Sequence, residues 1–180
     1  MNTINQTRWV FGYGSLMWRP GFEFTHSAQA TLRGFSRSLC VYSHVHRGTP
    51  EKPGLVFGLD QLDQSDLCKG IAFQVDESHW QHTVDYLRAR EQVTTVYLEE
   101  IVSIQLAGKK DQTVNALTYR VDTSHKQYAG QLGLDEQLKF IRQGRGQSGD
   151  CREYILSTAD HLNELKVEDK NLQALASALS

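Results

Sequence analysis

The spacing of the apolar residues changes along this chain, and the change restricts the folds that the chain can adopt. Over roughly the first two thirds, apolar residues alternate with polar ones or form short runs, as they do in β-strands. After Ser124 they recur every three or four residues, as they do in helices that bury one face. Early strands followed by late helices predict an α+β fold, in which helices close a mainly antiparallel or mixed sheet.

The individual elements follow from the same spacings. Strands are indicated near residues 10–11, 39–42, 55–59, 71–75, 102–106 and 117–121, with a hairpin turn at 108–111. One helix is indicated at 78–90, and more lie beyond residue 134, with a glycine-rich loop at 144–150. Because 180 residues suffice for one sizeable core, we expect a single domain over residues 1–180, with C-terminal helices from about 134.

Composition and charge argue against several kinds of partner. The formal net charge is −2 and no basic patch is visible, so we expect no binding to nucleic acid. No stretch approaches the roughly 20 apolar residues of a membrane span, and the first residues lack the apolar run of a signal peptide. Cys40, Cys68 and Cys151 are odd in number and widely spaced, which suggests free thiols and a cytoplasmic protein.

The segment V-F-G-Y-G-S-L-M-W, Val10 to Trp18, places two glycines at the end of a strand that looks buried. It lacks the lysine of a phosphate-binding Walker loop, the third glycine of a dinucleotide-binding loop and the spacing of a G-x-S-x-G nucleophile turn. Two interpretations remain open. Either the glycines form a tight turn, or they expose backbone N–H groups that cradle an anion or a carboxylate.

The segment Y-L-R-A-R-E ends the predicted helix on Glu91. A negative charge at a helix C-terminus opposes the helix dipole, which gives a small reason to expect a role for Glu91 other than helix stability. The alternative is a solvated glutamate beside Arg88 and Arg90.

Four segments, taken in order, resemble one known family. They are V-F-G-Y-G-S-L-M-W, H-R-G-T-P-E-K-P-G-L-V-F-G-L, Y-L-R-A-R-E and G-Q-S-G-D-C-R-E-Y-I. Together they are similar to the ChaC-type γ-glutamylcyclotransferases, from about Val10 to about Leu165. The resemblance implies a small mixed β-barrel flanked by helices. It also implies cleavage of glutathione into 5-oxoproline and cysteinylglycine, without a metal or an organic cofactor.

The resemblance also implies roles for individual residues. The family's γ-glutamyl-binding loop corresponds to Val10, Phe11, Gly12, Tyr13, Gly14 and Ser15. The acid/base glutamate corresponds to Glu91, and the tyrosine that is expected to line the pocket corresponds to Tyr154. This chain departs from many eukaryotic members at residues 92–94, which are Q-V-T in place of a glycine-glycine-tyrosine run, and at Cys151-Arg152, where an asparagine is usual before E-Y.

The implied reaction needs no external nucleophile. The α-amine of the γ-glutamyl group attacks its own γ-carbonyl carbon, and one carboxylate moves a proton from that amine to the leaving amine. We assign this carboxylate to Glu91. Burial would raise the pKa of Glu91, whereas Arg88 or Arg90 would lower it, and the sequence leaves the balance open.

Three other functions fit parts of the sequence. The same chemistry could act on other γ-glutamyl amino acids or amines. The domain could instead bind a γ-glutamyl metabolite without catalysis, although the presence of Glu91 argues against this. His44 and His46 form an H-x-H pair that could serve a metal-dependent hydrolase, but no further ligand stands near them in the sequence.

Overall fold

The computed structural model describes residues 3–108 and 112–180. Within these residues the chain groups into two compact units that alternate along the sequence. The first unit comprises Met1–Arg37 and Leu59–Asp122, and the second comprises Ser38–Gly58 and Thr123–Ser180. The expectation of a single domain over residues 1–180 stays a prediction.

The described residues form strands, α-helices and two short 3-10 helices at Ile4–Gln6 and Ser15–Met17. In chain order the strands and α-helices are β1 (Trp9–Gly12), β2 (His26–Arg33), β3 (Ser36–Ser43), β4 (Gly54–Asp60), β5 (Leu67–Gln74), α1 (Glu77–Glu91), β6 (Tyr97–Leu106), β7 (Thr113–Val121), α2 (Leu134–Gln143), β8 (Arg145–Gly146), β9 (Gly149–Asp150), α3 (Cys151–Glu164) and α4 (Lys170–Leu179).

Five strands of the first unit, among the described residues, close into a barrel in the order β1-β5-β2-β6-β7. Strands β1 and β7 pair in parallel, with Trp9 opposite Ala116, and the other neighbours pair antiparallel. This mixed barrel, together with the helices, confirms the predicted α+β fold. Strands β6 and β7 pair as a hairpin would, but residues 109–111 of the predicted turn lie outside the described residues.

Strand β2 is the barrel strand that the spacing of apolar residues does not predict. Over His26–Arg33 only Ala30 and Leu32 are buried, and the other side chains are exposed or half-buried. The strand still pairs on both edges, with β5 along its whole length and with β6 over residues 30–32. Pairing on both edges, together with the burial of Ala30 and Leu32, therefore holds β2 in the barrel without a longer row of apolar side chains.

Strand β1 sends alternate side chains into two apolar clusters. Phe11 is fully buried in one cluster, and Val10 is fully buried in the other together with Leu87 of α1. Helix α1 begins at Glu77 and is capped by Asp76, whose side chain accepts a hydrogen bond from the backbone N–H of Ser78 at 2.9 Å. The buried face of α1 thereby fixes this helix to the strand that leads into the two glycines.

The second unit contains α2, α3 and α4, with α3 packed against both of the others. Strand β3 pairs with β4, and the glycine-rich loop at 144–150 contains the two-residue strands β8 and β9, which pair antiparallel. Over residues 3–108 and 112–180, no helix has both the length and the apolar character needed to cross a membrane.

Glycines let the backbone of residues 45–54 and the backbone of the loop at 144–150 approach each other closely in the second unit. A Cβ on Gly54 would lie 2.1 Å from the carbonyl oxygen of Arg47, and a Cβ on Gly144 would lie 2.5 Å from the same oxygen. The backbone N–H of Gln147 donates to the carbonyl oxygen of Val45 at 2.8 Å. Residues 47–54 and the glycine-rich loop at 144–150 are therefore packed so closely that side chains at these two glycines would collide with backbone.

Candidate active site

Hydrogen bonds from within the first unit fix the turn that follows β1. Tyr13 is buried, and its hydroxyl donates to the carbonyl oxygen of Tyr119 in β7 at 2.9 Å. Arg37 donates from Nε to the carbonyl oxygen of Tyr13 at 2.5 Å, and from Nη2 to the carbonyl oxygen of Lys69 in β5. The turn is thus tied to the strands on both sides of β1, so its backbone is set without help from a ligand.

The two glycines of this turn have different surroundings. A Cβ on Gly12 would lie 3.0 Å from the Cβ of Leu16, so a side chain there would press on the residues that follow. A Cβ on Gly14 would have no atom of the described protein within 4 Å. Packing therefore accounts for Gly12, whereas Gly14 faces open space, as the cradle interpretation requires.

Several backbone N–H groups of the turn come before the first hydrogen bonds of the short 3-10 helix. In that helix Met17 donates to the carbonyl oxygen of Gly14, and Arg19 donates to that of Ser15, both at 2.9 Å. The N–H groups of Gly14, Ser15 and Leu16 therefore have no acceptor inside this helix. Such a row of N–H groups can bind a carboxylate or an oxyanion.

Val10 and Phe11 belong to the predicted substrate loop, but their side chains are fully buried in the two apolar clusters. The carbonyl oxygen of Phe11 also accepts a hydrogen bond from Thr118 Oγ1 at 3.0 Å. These residues hold the turn in place, and their contact with substrate stays a prediction.

Glu91 is the last residue of α1, and its side chain is 20% exposed. Burial raises the pKa of Glu91 above its ordinary value, and the positive charge of Arg90 offsets part of this rise. Arg90 Nε lies 3.4 Å from Glu91 Oε1. Burial thus decides the balance that the sequence leaves open, and a carboxyl group with a raised pKa is suited to accept and return a proton near neutral pH.

The guanidinium of Arg90 contacts both Glu91 and the glycine turn. Its Nη2 donates to Ser15 Oγ at 2.9 Å, and its Nη1 donates to the carbonyl oxygens of Arg19 at 2.6 Å and Pro20 at 3.2 Å. The hydroxyl oxygen of Ser15 is an acceptor in this bond, so its proton can be donated to a ligand. The structure therefore brings Ser15 and Glu91, two of the predicted site residues, to one side chain.

Arg88 is paired with a different carboxylate. Its guanidinium donates to both oxygens of Glu99, at 2.9 and 2.8 Å, and the Tyr119 hydroxyl donates to Glu99 Oε2 at 2.9 Å. Burial alone would raise the pKa of Glu99, but these hydrogen bonds bring it below its ordinary value. Burial, followed by the charge of Glu99, raises the pKa of Tyr119, and the charge of Glu91 adds to this rise. The phenol of Tyr119 is therefore within electrostatic range of Glu91.

The family model described as ChaC-like protein matches residues 8–180. The chain belongs to the ChaC-like family. This confirms the resemblance that the four sequence segments indicate.

Curated and solved proteins agree with this membership. The chain is 33% identical over 174 residues to the "Glutathione-specific gamma-glutamylcyclotransferase 1" of Danio rerio, a match that covers 95% of this chain and 88% of the relative. It is 31% identical over 167 residues to the "Glutathione-specific gamma-glutamylcyclotransferase" of Escherichia coli strain K12, covering 93% and 70%. A crystal structure of the γ-glutamylcyclotransferase specific to glutathione from yeast matches with a TM-score of 0.82 at 25% identity, covering 95% and 94%.

Tyr154 of this ChaC-like chain lies on α3 in the second unit and is half-buried. Its hydroxyl oxygen accepts a hydrogen bond from the backbone N–H of Phe57 at 3.3 Å, and the guanidinium of Arg47 lies over its ring, 5.1 Å from the centroid. Arg47 is itself anchored by donating to the carbonyl oxygen of Ser148 at 2.6 Å. The ring of Tyr154 is well fixed within its unit, and its contact with substrate stays a prediction.

His46, one half of the H-x-H pair, also contacts the glycine-rich loop of the second unit. Its Nδ1 lies 2.9 Å from Ser148 Oγ. Among the described residues of this ChaC-like chain, no group of three or more histidine, cysteine, aspartate or glutamate side chains is placed to hold a metal ion.

No sequence motif marks Arg37, Glu99 or Tyr119 as site residues, and only the positive charge of Arg90 beside Glu91 stands out in the sequence. Glu99 and Tyr119 meet because the register of β6 and β7 places them directly opposite each other, and no sequence pattern reveals that register. Arg90 offers the one usable signal, since it stands beside Glu91 in Y-L-R-A-R-E, one of the four segments that carry the resemblance to the family.

Proposed function

We propose that this chain is a glutathione-specific γ-glutamylcyclotransferase, which converts glutathione into 5-oxoproline and cysteinylglycine. The observation that carries the proposal is a half-buried carboxylate, Glu91, that shares one guanidinium with the glycine turn in a chain of the ChaC-like family. Relatives that match over most of this chain are named for that activity. The reaction makes the enzyme a lactam-forming carbon–nitrogen lyase with a small-molecule substrate.

The reaction exchanges one carbon–nitrogen bond for another. The α-amine nitrogen of the γ-glutamyl group attacks its γ-carbonyl carbon, and the bond from that carbon to the cysteinyl nitrogen breaks. One proton leaves the attacking amine and one joins the leaving amine, so atoms and charge balance without water or a redox partner. Holding the substrate folded in this near-attack geometry removes much of the entropic barrier to ring closure.

Glu91 carries the proton in this scheme. As a carboxylate it accepts a proton from the attacking amine, and as a carboxylic acid it donates one to the leaving amine. The raised pKa of Glu91, caused first by burial, brings its two forms closer in population near neutral pH. General acid–base help of this kind contributes about 10²–10⁴-fold to turnover.

The glycine turn supplies the electrostatic part. Attack places negative charge on the γ-carbonyl oxygen, and fixed backbone N–H groups stabilise that charge more in the transition state than in the ground state. The N–H groups of Gly14, Ser15 and Leu16 are suited to this role or to holding the α-carboxylate of the substrate. The open space at Gly14 lets a ligand approach this backbone closely. The contact of Tyr154 with the substrate stays a prediction of the family resemblance.

The decisive experiment incubates the purified protein with reduced glutathione and identifies the products by mass spectrometry. We expect 5-oxoproline and cysteinylglycine in equal amounts. Free glutamate in place of 5-oxoproline would show hydrolysis, as a metal-dependent hydrolase would produce, and would overturn the proposal. Absence of any turnover would favour a non-catalytic binding domain.

The assignment of Glu91 has its own test. Glu91→Gln keeps the size of the side chain but cannot move a proton, so we expect a folded protein whose turnover falls by about 10²-fold or more. Glu100→Gln is the matched control, because Glu100 is ion-paired with Arg120 on the neighbouring strand of the same unit. Near-normal release of 5-oxoproline by Glu91→Gln would remove Glu91 from the mechanism.

Substrate choice is tested by comparing glutathione with γ-glutamyl-alanine. We expect a higher kcat/KM for glutathione, since the named relatives are specific for it. Equal values for the two substrates would instead support a general γ-glutamyl enzyme.

We also assign the protein to the cytoplasm. Cys40, Cys68 and Cys151 are all free thiols, as is usual in a reducing compartment. Immunofluorescence or fractionation of cells that express the full chain checks this location.

A further inference from the structure

The side chain of Arg90 is unusually well connected for a residue at the end of a helix. Its side chain is only 21% exposed, and its guanidinium donates to Ser15 Oγ, to the carbonyl oxygens of Arg19 and Pro20, and to the Tyr86 hydroxyl at 3.1 Å. Its Nε faces Glu91 Oε1. An ion pair with Glu91 alone would not need the other four contacts.

The segment after the glycine turn is shaped to receive this end of α1. Gly21 has a φ of +75°, and a Cβ there would lie 2.0 Å from the Tyr86 hydroxyl, which itself accepts from Arg90. The carbonyl oxygens of Arg19 and Pro20 point to the same guanidinium. Backbone and side chains on both sides thus converge on Arg90.

We propose that Arg90 is a positioning residue of the reaction, whose guanidinium holds the glycine turn and the Glu91 carboxylate in one fixed geometry. This inference rests on the proposed function, because it takes the turn as the substrate site and Glu91 as the acid and base. A displacement of about 1 Å between reacting groups can cost about 10²-fold in rate. A planar fork that binds both groups prevents such a displacement.

A lysine would not replace this arginine. The guanidinium presents five N–H donors in a rigid plane, whereas an ammonium group is a single charged point on a flexible stem. Arg90→Lys therefore keeps the positive charge near Glu91 but loses most of the bonds to the turn. Arg90→Gln loses both, so the two variants separate the positioning effect from the effect of charge.

The charges around Glu91 fix the direction of the pH effect. On α1 itself, Arg90 lowers the pKa of Glu91, while Arg88 is held by Glu99 of β6. From β7, Tyr119 is neutral near pH 7, because burial raises its pKa further above its ordinary value. Removing the charge of Arg90 should therefore let the pKa of Glu91 rise, which moves the acidic limb of the kcat/KM profile to higher pH.

The experiment measures kcat, KM and pH profiles for wild type, Arg90→Lys and Arg90→Gln with glutathione. We expect Arg90→Lys to lose about 10-fold or more in kcat with an unmoved acidic limb. We expect Arg90→Gln to lose at least as much and to show the limb at higher pH. Arg120→Lys and Arg120→Gln are the controls, because Arg120 also bonds a carboxylate and a carbonyl oxygen in the first unit. Wild-type kcat in Arg90→Lys would overturn the proposal.

Ser15→Ala keeps the test available if an Arg90 variant does not fold. It removes the bond between Arg90 and the turn, together with the hydroxyl that Ser15 can donate to a ligand, and leaves Arg90 beside Glu91, so kcat should fall about 3-fold or more with an unmoved acidic limb. In the double variant Ser15→Ala/Arg90→Lys the two losses should not add, because both break the same bond. Full additivity would contradict a shared positioning role.

A titration of Glu91 by NMR, with ¹³C-labelled carboxyl groups, gives a readout that does not depend on turnover. The pKa should rise in Arg90→Gln and stay unchanged in Arg90→Lys. If wild type releases no 5-oxoproline, the proposed function fails, while this titration still tests the contact between Arg90 and Glu91. An unchanged pKa in Arg90→Gln would overturn that contact as a feature of the protein in solution.

Discussion

In the second unit, the carbonyl oxygen of Arg47 lies where a side chain on Gly54 or Gly144 would be. In the first unit, a Cβ on Gly14 would meet only open space among the described residues. The two regions look alike in sequence, since both are short glycine-containing motifs. One motif packs backbone on backbone, and the other leaves a fixed backbone open. The difference teaches that a glycine motif marks a close approach, and that only the structure tells whether a second chain segment or open space lies there.

The same division separates stability from activity. In the second unit, the loops are held by close backbone contacts at Gly54 and Gly144, which a side chain at either position would break. In the first unit, hydrogen bonds of Tyr13 and Arg37 hold the turn, and the space at Gly14 is not filled by packing. Substitutions should therefore lower the free energy of unfolding in one region and turnover in the other.

The largest effect is expected at Gly14. Gly14→Val fills the open space in front of the turn, so turnover of glutathione should fall by about 10²-fold or more, because the ligand loses its approach to the backbone. The free energy of unfolding should change by less than about 1 kcal/mol, since no protein atom is displaced. Enzyme assays and urea denaturation measure the two effects separately.

A matched control comes from Gly133, the N-cap of α2, where a Cβ also meets no described atom. Gly133→Val should leave turnover unchanged. If Gly14→Val instead unfolds the protein, so that lost stability accounts for the lost turnover, the comparison between the regions fails and the role of the turn is structural.

The next effect is expected at Gly54. A Cβ there would lie 2.1 Å from a backbone oxygen, so Gly54→Ala should lower the free energy of unfolding by about 3 kcal/mol, near the upper end for overpacking. The variant should keep its kcat in the fraction that stays folded. A stable Gly54→Ala protein with reduced kcat would reverse the roles of the two regions.

Gly12 should give an intermediate result. Its Cβ would lie 3.0 Å from a side-chain atom of Leu16, which can move by a few tenths of an ångström. Gly12→Ala should therefore cost about 1 kcal/mol of unfolding free energy. A smaller loss of turnover than in Gly14→Val would sharpen the distinction between the two glycines, and an equal or greater loss would contradict it.

The smallest effect concerns the carboxylates. Because burial raises the pKa of Glu91, the folded state binds its proton more tightly than the unfolded state, and the stability of wild type falls as pH rises through this range. Glu91→Gln should therefore be slightly more stable than wild type at pH 7, by less than about 1 kcal/mol. The gain should vanish below the ordinary glutamate pKa of about 4.

Glu99 gives the opposite sign, since hydrogen bonds hold its pKa below the ordinary value. Glu99→Gln should be less stable than wild type at neutral pH, and the difference should shrink as pH falls through the pKa of Glu99. Denaturation at several pH values measures both variants. The same sign for Glu91→Gln and Glu99→Gln would show that burial does not govern Glu91.

The fold class could be predicted from the sequence because it depends on the local spacing of apolar residues, whereas the candidate site residues follow from the resemblance of four segments to a family and stay a prediction. The change in apolar spacing indicates strands and then helices, and the glycine turn and Glu91 stand in recognisable segments. Strand β2 could not be predicted, because its pairing depends on neighbours rather than on its own apolar residues. The meeting of Glu99 with Tyr119 depends on strand register, and the contacts of Arg90 depend on how α1 docks.

The parallel pair of β1 and β7 has a consequence for when the enzyme becomes active. Trp9 and Val10 meet Ala116 and Leu117, so the barrel cannot close until both ends of the first unit have left the ribosome. Tyr13 finds its acceptor on β7 only at that moment. A growing chain therefore has no fixed glycine turn, and cannot turn over substrate, until β7 has left the ribosome and paired with β1.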